Sequence, residues 1–326
     1  GFSFFNVPDS KDKIIEIVQW GCIGVKHIDF CGNSTDKGCT RITSIPNPSK
    51  NSFKEAVDFS GLFRNCTGLN CEIPEYLFTN APNLQTLQLA FANSTIKGNL
   101  PDDMFCGLPN IISFRDIFYN CDELIGKIPE NLFANNFKAT DFQGVFSECS
   151  NLNGTIPEKL FANNLEATNF YATFSGCIGI TGNIPENLFI NNQKVETFFG
   201  TFQLTGVSGS IPEKLFFNNS KVKNMAQTFY GCENLTGSIP ENLFINNKEI
   251  ETFNSTFVYC INIDGTLPIN LFNFNDKVID FSNTFNSCSN LQGNAIPLWE
   301  RTNVEEYSGC YTGCSNLEGY PDAIPV

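Results

Sequence analysis

Cysteine is the first candidate for chemistry, because eight of the fourteen cysteines recur at one position of a regular pattern. The column consists of Cys66, Cys121, Cys149, Cys177, Cys232, Cys260, Cys288 and Cys314. Repeated thiols could form disulfides or bind a metal, but Cys-x-x-Cys pairs are absent and the only histidine, His27, lies in the first segment of the chain. We therefore predict that these thiols are reduced, point inward and cap backbone carbonyls.

Cys31 and Cys39 differ from this column because they bracket a polar loop near the start of the chain. Such a pair can close a disulfide in an oxidising compartment. The sequence is compatible with a disulfide between Cys31 and Cys39 and also with two free thiols.

A second column is acidic, and each member directly follows a proline: Glu75, Asp102, Glu130, Glu158, Glu186, Glu213 and Glu241. Stacked carboxylates could bind a cation. An acid in the first turn after a proline also compensates the unpaired N–H groups of that turn, and we favour this structural role. We predict neither a metal site nor a cofactor.

Catalysis and nucleic-acid binding both lack support in the sequence. The repeat accounts for every cluster of Ser, Asp or Glu, no Gly-rich phosphate loop is present, and His27 has no evident acid or nucleophile as a partner. With 20 basic against 34 acidic residues, the net charge of -14 argues against a nucleic acid or an anionic membrane as partner. No run of eighteen apolar residues exists, so we predict no membrane insertion. Because no cluster of catalytic residue types stands out, we also predict that the chain is not an enzyme.

These columns follow from a repeat marked by Ile-Pro or Leu-Pro, which recurs every 27 to 29 residues from Ile45 to Ile324. A period this regular predicts a solenoid, in which each copy forms one coil stacked on the last. Residues 1–44 do not fit the period, and we interpret them as an N-terminal cap with degenerate coils. Residues 45–326 form the predicted repeat solenoid.

Phenylalanine fills three further columns, at five, fourteen and eighteen residues after the Ile of each Ile-Pro. Rings stacked in this way would supply most of the core. A cofactor-binding aromatic box is the alternative, but the columns repeat in every coil instead of converging at one place. The asparagine pairs at 135/136, 163/164, 191/192, 218/219 and 246/247 are predicted turn and ladder residues.

Apolar spacing predicts two kinds of element within a coil. The segment Leu235–Ile239 alternates with period two, as a strand does. Residues such as Phe253, Phe257, Cys260 and Ile263 follow a three-four rhythm, which predicts a short helix or helical turn. The predicted fold is an α/β solenoid, a right-handed leucine-rich-repeat-like superhelix of about eleven 28-residue coils with a parallel β-sheet on one face.

The stretch VKNMAQTFYGCENLTGSIP, Val222 to Pro240, resembles the BspA-like leucine-rich repeats and the related DUF285 repeats of bacterial and protist surface proteins. The opening IIEIVQWGCIGVKHIDF is also similar to the lead-in of that family, although the repeats here are longer and their L-x-G-x-I-P is similar to plant-type repeats. The resemblance implies an extracellular or cell-surface protein that acts in adhesion or interaction and is not an enzyme.

Two functions fit these observations. One is an adhesion module that binds an extracellular host protein or a polysaccharide; the other is a structural spacer or filament element that self-associates. For a ligand surface we predict the polar side of the L-x-G-x-I strand, because the residues on either side of the Gly should point outward. These residues are Asn153, Thr155, Thr181, Asn183, Thr236, Ser238, Asp264 and Thr266.

Overall fold

The computed structural model describes residues 2–3, 14–20, 26–30, 39–50 and 52–320 as short parallel elements joined by turns. Its strands are β1 (Phe2–Ser3), β2 (Ile28–Asp29), β3 (Thr181–Asn183), β4 (Gly206–Ser208), β5 (Gly293–Asn294) and β6 (Leu317–Glu318). They pair in parallel as β1 with β2, β3 with β4 and β5 with β6. Among the described residues, the only helix is a 3-10 helix, Leu298–Glu300, and no helix is long and apolar enough to cross a membrane.

Two ladders of parallel bridges connect successive coils. The first ladder runs from His27 and Asp58 to Asp280 and Glu306, with one residue from each coil. The second ladder uses the predicted L-x-G-x-I segments, including β3 and β4. The sequence predicted only the second ladder, and it did so because only that segment alternates with period two.

The predicted short helix or helical turn is wrong, because the segment of the first ladder is built from successive turns that contain residues with positive φ. In the coil of Phe253, the amide of Phe253 donates to Asp280 O at 2.9 Å and the amide of Thr256 donates to Phe253 O at 3.1 Å. Ser255 and Tyr259 have φ values of 55° and 58°, which a right-handed helix excludes and the third residue of a type II turn requires. Consecutive four-residue turns bury every third or fourth side chain, so they reproduce the apolar rhythm of a helix.

The phenylalanine columns form the core, as predicted. Phe174 is fully buried and stacks on Phe146 at 5.8 Å and on Phe202 at 5.9 Å. The same relation joins Phe142, Phe170 and neighbouring coils along the fourteenth column. Aromatic contact is therefore continuous from coil to coil, and each ring closes the space above the one before it.

Six fully buried asparagines form an internal ladder: Asn136, Asn164, Asn192, Asn219, Asn247 and Asn275. The Asn192 side-chain amide donates to Phe161 O at 3.1 Å and to Asn164 O at 2.8 Å in the preceding coil. Arg301 ends the ladder, because its guanidinium donates to Phe272 O and Asn275 O, the carbonyls that the next asparagine would occupy. This confirms the asparagine pairs as ladder residues.

The cysteine column points inward, as predicted. Cys177 Sγ donates to Phe146 O at 2.9 Å, and Cys260 Sγ donates to Phe229 O at 3.1 Å. Burial raises the pKa of the Cys121 thiol to about 12. Cys31 lies outside the described residues, so the predicted alternatives for that pair remain predictions; Cys39 Sγ donates to Phe30 O at 2.9 Å.

The first segment packs onto the repeats through Trp20. Its ring lies 5.1 Å from that of Phe53 and 6.1 Å from that of Phe63, and its Nε1 donates to Pro46 O at 2.6 Å. Because His27 already belongs to the first ladder, coil geometry begins before residue 45. The division into a cap at 1–44 and a solenoid at 45–326 remains a prediction.

Candidate binding surfaces

The predicted ligand residues form an exposed stripe on the second ladder. All eight side chains are exposed: Asn153, Thr155, Thr181, Asn183, Thr236, Ser238, Asp264 and Thr266. The stripe packs closely against glycine, because a Cβ added at Gly182 would lie 2.8 Å from Cγ2 of Thr155 in the preceding coil, and Gly182 has a φ of +80°. These residues lie together as the alternation predicted, and their role in binding remains a prediction.

In part of the acidic column, the carboxylate accepts a hydrogen bond from the next coil, whereas the sequence predicted that it would compensate the N–H groups of its own turn. Glu158 Oε1 accepts a hydrogen bond from Asn187 Nδ2 at 2.8 Å, and Glu241 Oε1 accepts one from Asn270 Nδ2 at 2.8 Å. Three of the seven carboxylates, those of Glu158, Glu213 and Glu241, therefore hold an asparagine of the next coil. The described part of the chain has no group of three or more His, Cys, Asp or Glu residues that could hold a metal ion.

His27 has an acidic partner that the sequence did not reveal. Its Nδ1 lies 3.3 Å from Asp58 Oδ2, and the two residues are bridge partners on the first ladder. The other carboxylate oxygen, Oδ1, accepts the backbone N–H of Ser60 at 2.8 Å. Asp58 thus anchors the following turn, and the pair is explained by the ladder without a catalytic role.

The outer side of the first ladder, here called the turn face, is the surface on which the coils differ most. Its fifteenth to twentieth positions, counted from the Ile of each Ile-Pro, carry exposed side chains that differ between coils, and the twentieth position alone holds Glu148, Leu204 and Tyr259. Tyr119, Tyr171, Leu204 and Tyr259 are 38%, 37%, 45% and 47% exposed. The stripe on the second ladder carries mainly Asn, Thr and Ser, so the two surfaces present different degrees of variety.

Backbone conformation also marks the turn face. The sixteenth and twentieth positions have positive φ in successive coils, and Gly144, Gly200 and Gly231 occupy them without strain. Leu204 and Tyr259 occupy equivalent positions with φ values of 53° and 58°. A left-handed conformation costs about 1 to 2 kcal/mol for a residue with a side chain, so these coils retain strained residues where others have glycine.

A depression of about 320 Å³ opens on the turn face across five coils. Its lining includes Arg64, Asp116, Tyr119, Gln143 and Tyr171. Asp116 Oδ2 lies 3.3 Å from Arg115 Nε, and its Oδ1 lies over Gly144, where any Cβ would overlap it. Desolvation by burial raises the pKa of the Asp116 carboxyl, while Arg115 opposes that shift.

Sequence reasoning missed this depression because its residues occupy columns that do not repeat. Tyr119 and Tyr171 fall at the nineteenth and fifteenth positions of different coils, so neither forms a column. Their signal is departure from the period: in a chain this regular, a position that changes in every coil is not set by packing. That departure could have identified the turn face before the structure did.

Stacked coils with parallel ladders define a leucine-rich-repeat solenoid, and one solved structure with a TM-score above 0.5 has the same fold. A TDR receptor is 20% identical, with 87% of this chain and 47% of that chain covered and a TM-score of 0.53. Lower scores come from a plant ice-binding protein (16% identical, 82% and 70% covered, TM-score 0.41) and a leucine-rich repeat protein from Bacteroides ovatus (18%, 89% and 73%, TM-score 0.36). The chain spans about half the length of the receptor structure that it matches.

The family follows from the sequence match. DUF285, described as a Mycoplasma protein of unknown function, matches residues 112–242 and 210–321, which together exceed half of the chain. The chain belongs to the DUF285 family, and this confirms the resemblance carried by Val222–Pro240. The search of curated proteins found no match.

Proposed function

We propose that this chain is a binding module of a cell-surface or secreted protein and that it acts in adhesion by recognising an extracellular protein or a glycan. Its stacked coils form a rigid scaffold with long side-chain surfaces, which suits recognition by many small contacts. Nothing in the arrangement of the described polar residues calls for catalysis. The similar TDR receptor is itself named a receptor, which agrees with a binding role.

The observation that carries this proposal is the contrast between the interior and the turn face. Buried columns are nearly invariant along the chain, whereas the twentieth position of the coil holds Glu148, Leu204 and Tyr259, all of them exposed, in three different coils. A spacer needs only the constant part, since length depends on stacking alone. Variable, strained and exposed side chains favour recognition.

The stripe of the second ladder supports a second surface within the same function. Its short hydroxyl and amide side chains repeat at about 4.8 Å across the ladder, a spacing suited to an extended polysaccharide. Each hydrogen bond would contribute about 0.5 to 1.5 kcal/mol, so several coils must bind together. The uniformity of this stripe is also what a spacer that self-associates would show.

The test is an array of glycans and extracellular proteins probed with the wild-type chain and two sets of variants. The stripe set replaces Thr181, Asn183, Thr236 and Ser238 with lysine. The turn-face set replaces Tyr171 and Tyr259 with serine. We expect specific ligands for the wild type and their loss in the turn-face set, with both sets folded by circular dichroism.

Loss of binding in the stripe set alone would move the site to the second ladder. No ligand for the wild type, together with concentration-dependent assembly in sedimentation, would replace the binding function with the spacer.

A further inference from the structure

We propose that the depression on the turn face binds a neutral oligosaccharide, with Tyr119 and Tyr171 as ring platforms and Asp116 as the main hydrogen-bond acceptor. This inference rests on the proposed binding function and names its ligand class and site. The cavity volume of about 320 Å³ lies at the lower end of the range of about 300 to 1,000 Å³ typical of small-molecule sites. One or two sugar rings of a longer chain would occupy it.

The tyrosines supply the apolar part of such a site. Tyr171 stacks on Phe199 with ring centroids 4.5 Å apart and an angle of 6° between the planes, so its ring is held in a fixed orientation. Phe199 does not line the depression, whereas Tyr171 does. The electron-rich face of an aromatic ring attracts the polarised C–H bonds on the apolar face of a sugar. A rigid ring binds at little entropic cost.

Polar groups with planar geometry surround these rings. The Asp116 carboxylate is 19% exposed and is held beside Arg115 Nε at 3.3 Å, with Gly144 leaving room for its second oxygen. The side-chain amide of Gln143 makes no hydrogen bond within the described part of the chain, so both its donors and its acceptor are available. Carboxylates and amides match the paired donors and acceptors of adjacent sugar hydroxyls.

Backbone pairing with a peptide is disfavoured at this site. The amide of Asp116 donates to Gln143 O at 2.7 Å, and the amide of Gly144 donates to Tyr171 O at 2.8 Å. The backbone N–H groups of Asp116 and Gly144 thus already donate to the next coil, so this site offers no strand edge to which a peptide strand could be added. The net charge of -14 also disfavours an acidic glycan, so the ligand is neutral.

The experiment is calorimetric titration of the whole chain with hexasaccharides of β-1,4-glucose, α-1,4-glucose, β-1,4-N-acetylglucosamine and mannose. We expect at least one to bind, and Tyr171→Ala and Asp116→Asn each to weaken that binding by about tenfold or more. Tyr76→Ala is the matched control, because Tyr76 is 58% exposed and does not line this depression. It should bind as the wild type does.

The proposal is overturned if none of the four sugars binds at millimolar concentration, or if Tyr171→Ala and Asp116→Asn both bind like the wild type. Sugar binding that is lost only when the stripe residues are replaced would also overturn it, because the ligand would then lie on the second ladder. If the array yields a protein ligand and no sugar binds, the oligosaccharide proposal is overturned and the proposed binding function is retained. Asp116→Asn preserves side-chain shape, so its melting curve checks that lost binding is not lost folding.

Discussion

Single residues of the turn face combine strain with exposure. Leu204 has a φ of 53° and is 45% exposed, while Gly231 occupies the equivalent place in the next coil. The Leu204 side chain lies over Gly231, so a Cβ added at Gly231 would approach Leu204 Cδ2. The conformation is imposed by the inter-coil hydrogen bonds and not by the residue, which explains why leucine is held in it.

Leu204→Gly should therefore stabilise the fold, by about 0.5 to 1 kcal/mol after the greater chain entropy of glycine is subtracted from the relieved strain. Chemical denaturation measures this difference. Ala226→Gly is the control, because Ala226 lies in a turn of the same ladder without a positive φ; Ala226 is buried, and its replacement should destabilise by at least a similar amount. Equal destabilisation by both substitutions would contradict the strain argument.

The column thiols should be unreactive in the folded protein. Burial raises the pKa of Cys121 and of Cys232 to about 12, so almost no thiolate exists at pH 8, and neither sulfur is accessible. Cys106 is exposed and serves as the internal control. Alkylation followed by peptide mapping should modify Cys106 in the native chain, and Cys121 and Cys232 only after denaturation without reductant. Failure to label the column after denaturation would show that it forms disulfides.

Among elements, the asparagine ladder has the largest predicted effect of a polar substitution. Asn192→Ala leaves two buried carbonyls, Phe161 O and Asn164 O, without that donor, and we expect a loss of about 2 to 4 kcal/mol in unfolding free energy. Its neighbour Asn191 is exposed and donates only to Ala162 O at 2.9 Å. Asn191→Ala should cost less than about 1 kcal/mol. Similar losses for the two variants would show that the ladder contributes no more than surface hydrogen bonds.

A second prediction at this scale concerns the phenylalanine column that contains Phe174. Phe174 is fully buried between Phe146 and Phe202, so Phe174→Ala opens a cavity that neighbouring rings cannot fill. We expect a loss of about 3 to 5 kcal/mol, measured by denaturant titration. A melting temperature close to that of the wild type would mean that the ring is not part of a continuous core.

The elements also show what the sequence could predict. Columns such as those of Phe174 and Cys177 were predictable, because an inward position imposes the same residue in every coil. The first ladder was not, because turns around Ser255 and Tyr259 share their apolar rhythm with a helix and differ only in φ. The depression around Asp116 was missed for the opposite reason, since the residues that line it do not repeat from coil to coil.

At the scale of the molecule, each described coil interacts mainly with the coils on either side of it. Hydrogen bonds of the first ladder, ring stacks and the asparagine ladder all join residues about one repeat apart, as Asn192 joins Asn164. Stability should then be close to a sum over coils and their interfaces. The number of coils, about eleven, and the right-handed winding remain predictions.

This description predicts that one whole coil can be removed. Deleting residues 156–183 joins Thr155 to Ile184 and places Phe189, Phe198 and Phe202 against Phe133, Phe142 and Phe146, the same partners by type. Asn192 would donate to the carbonyls of Phe133 and Asn136 in place of Phe161 and Asn164. The shortened chain should fold and melt cooperatively, at a cost of about one coil interface.

Deleting only residues 156–169 is the control, because half a coil brings turn positions against the asparagine ladder and leaves both sets of carbonyls unmatched. That variant should not give a cooperative melting transition by circular dichroism. If it folds as well as the whole-coil deletion, coil register does not hold the chain together. If the whole-coil deletion fails while the half-coil deletion folds, the repeat unit is not the 28 residues that the Ile-Pro spacing predicts.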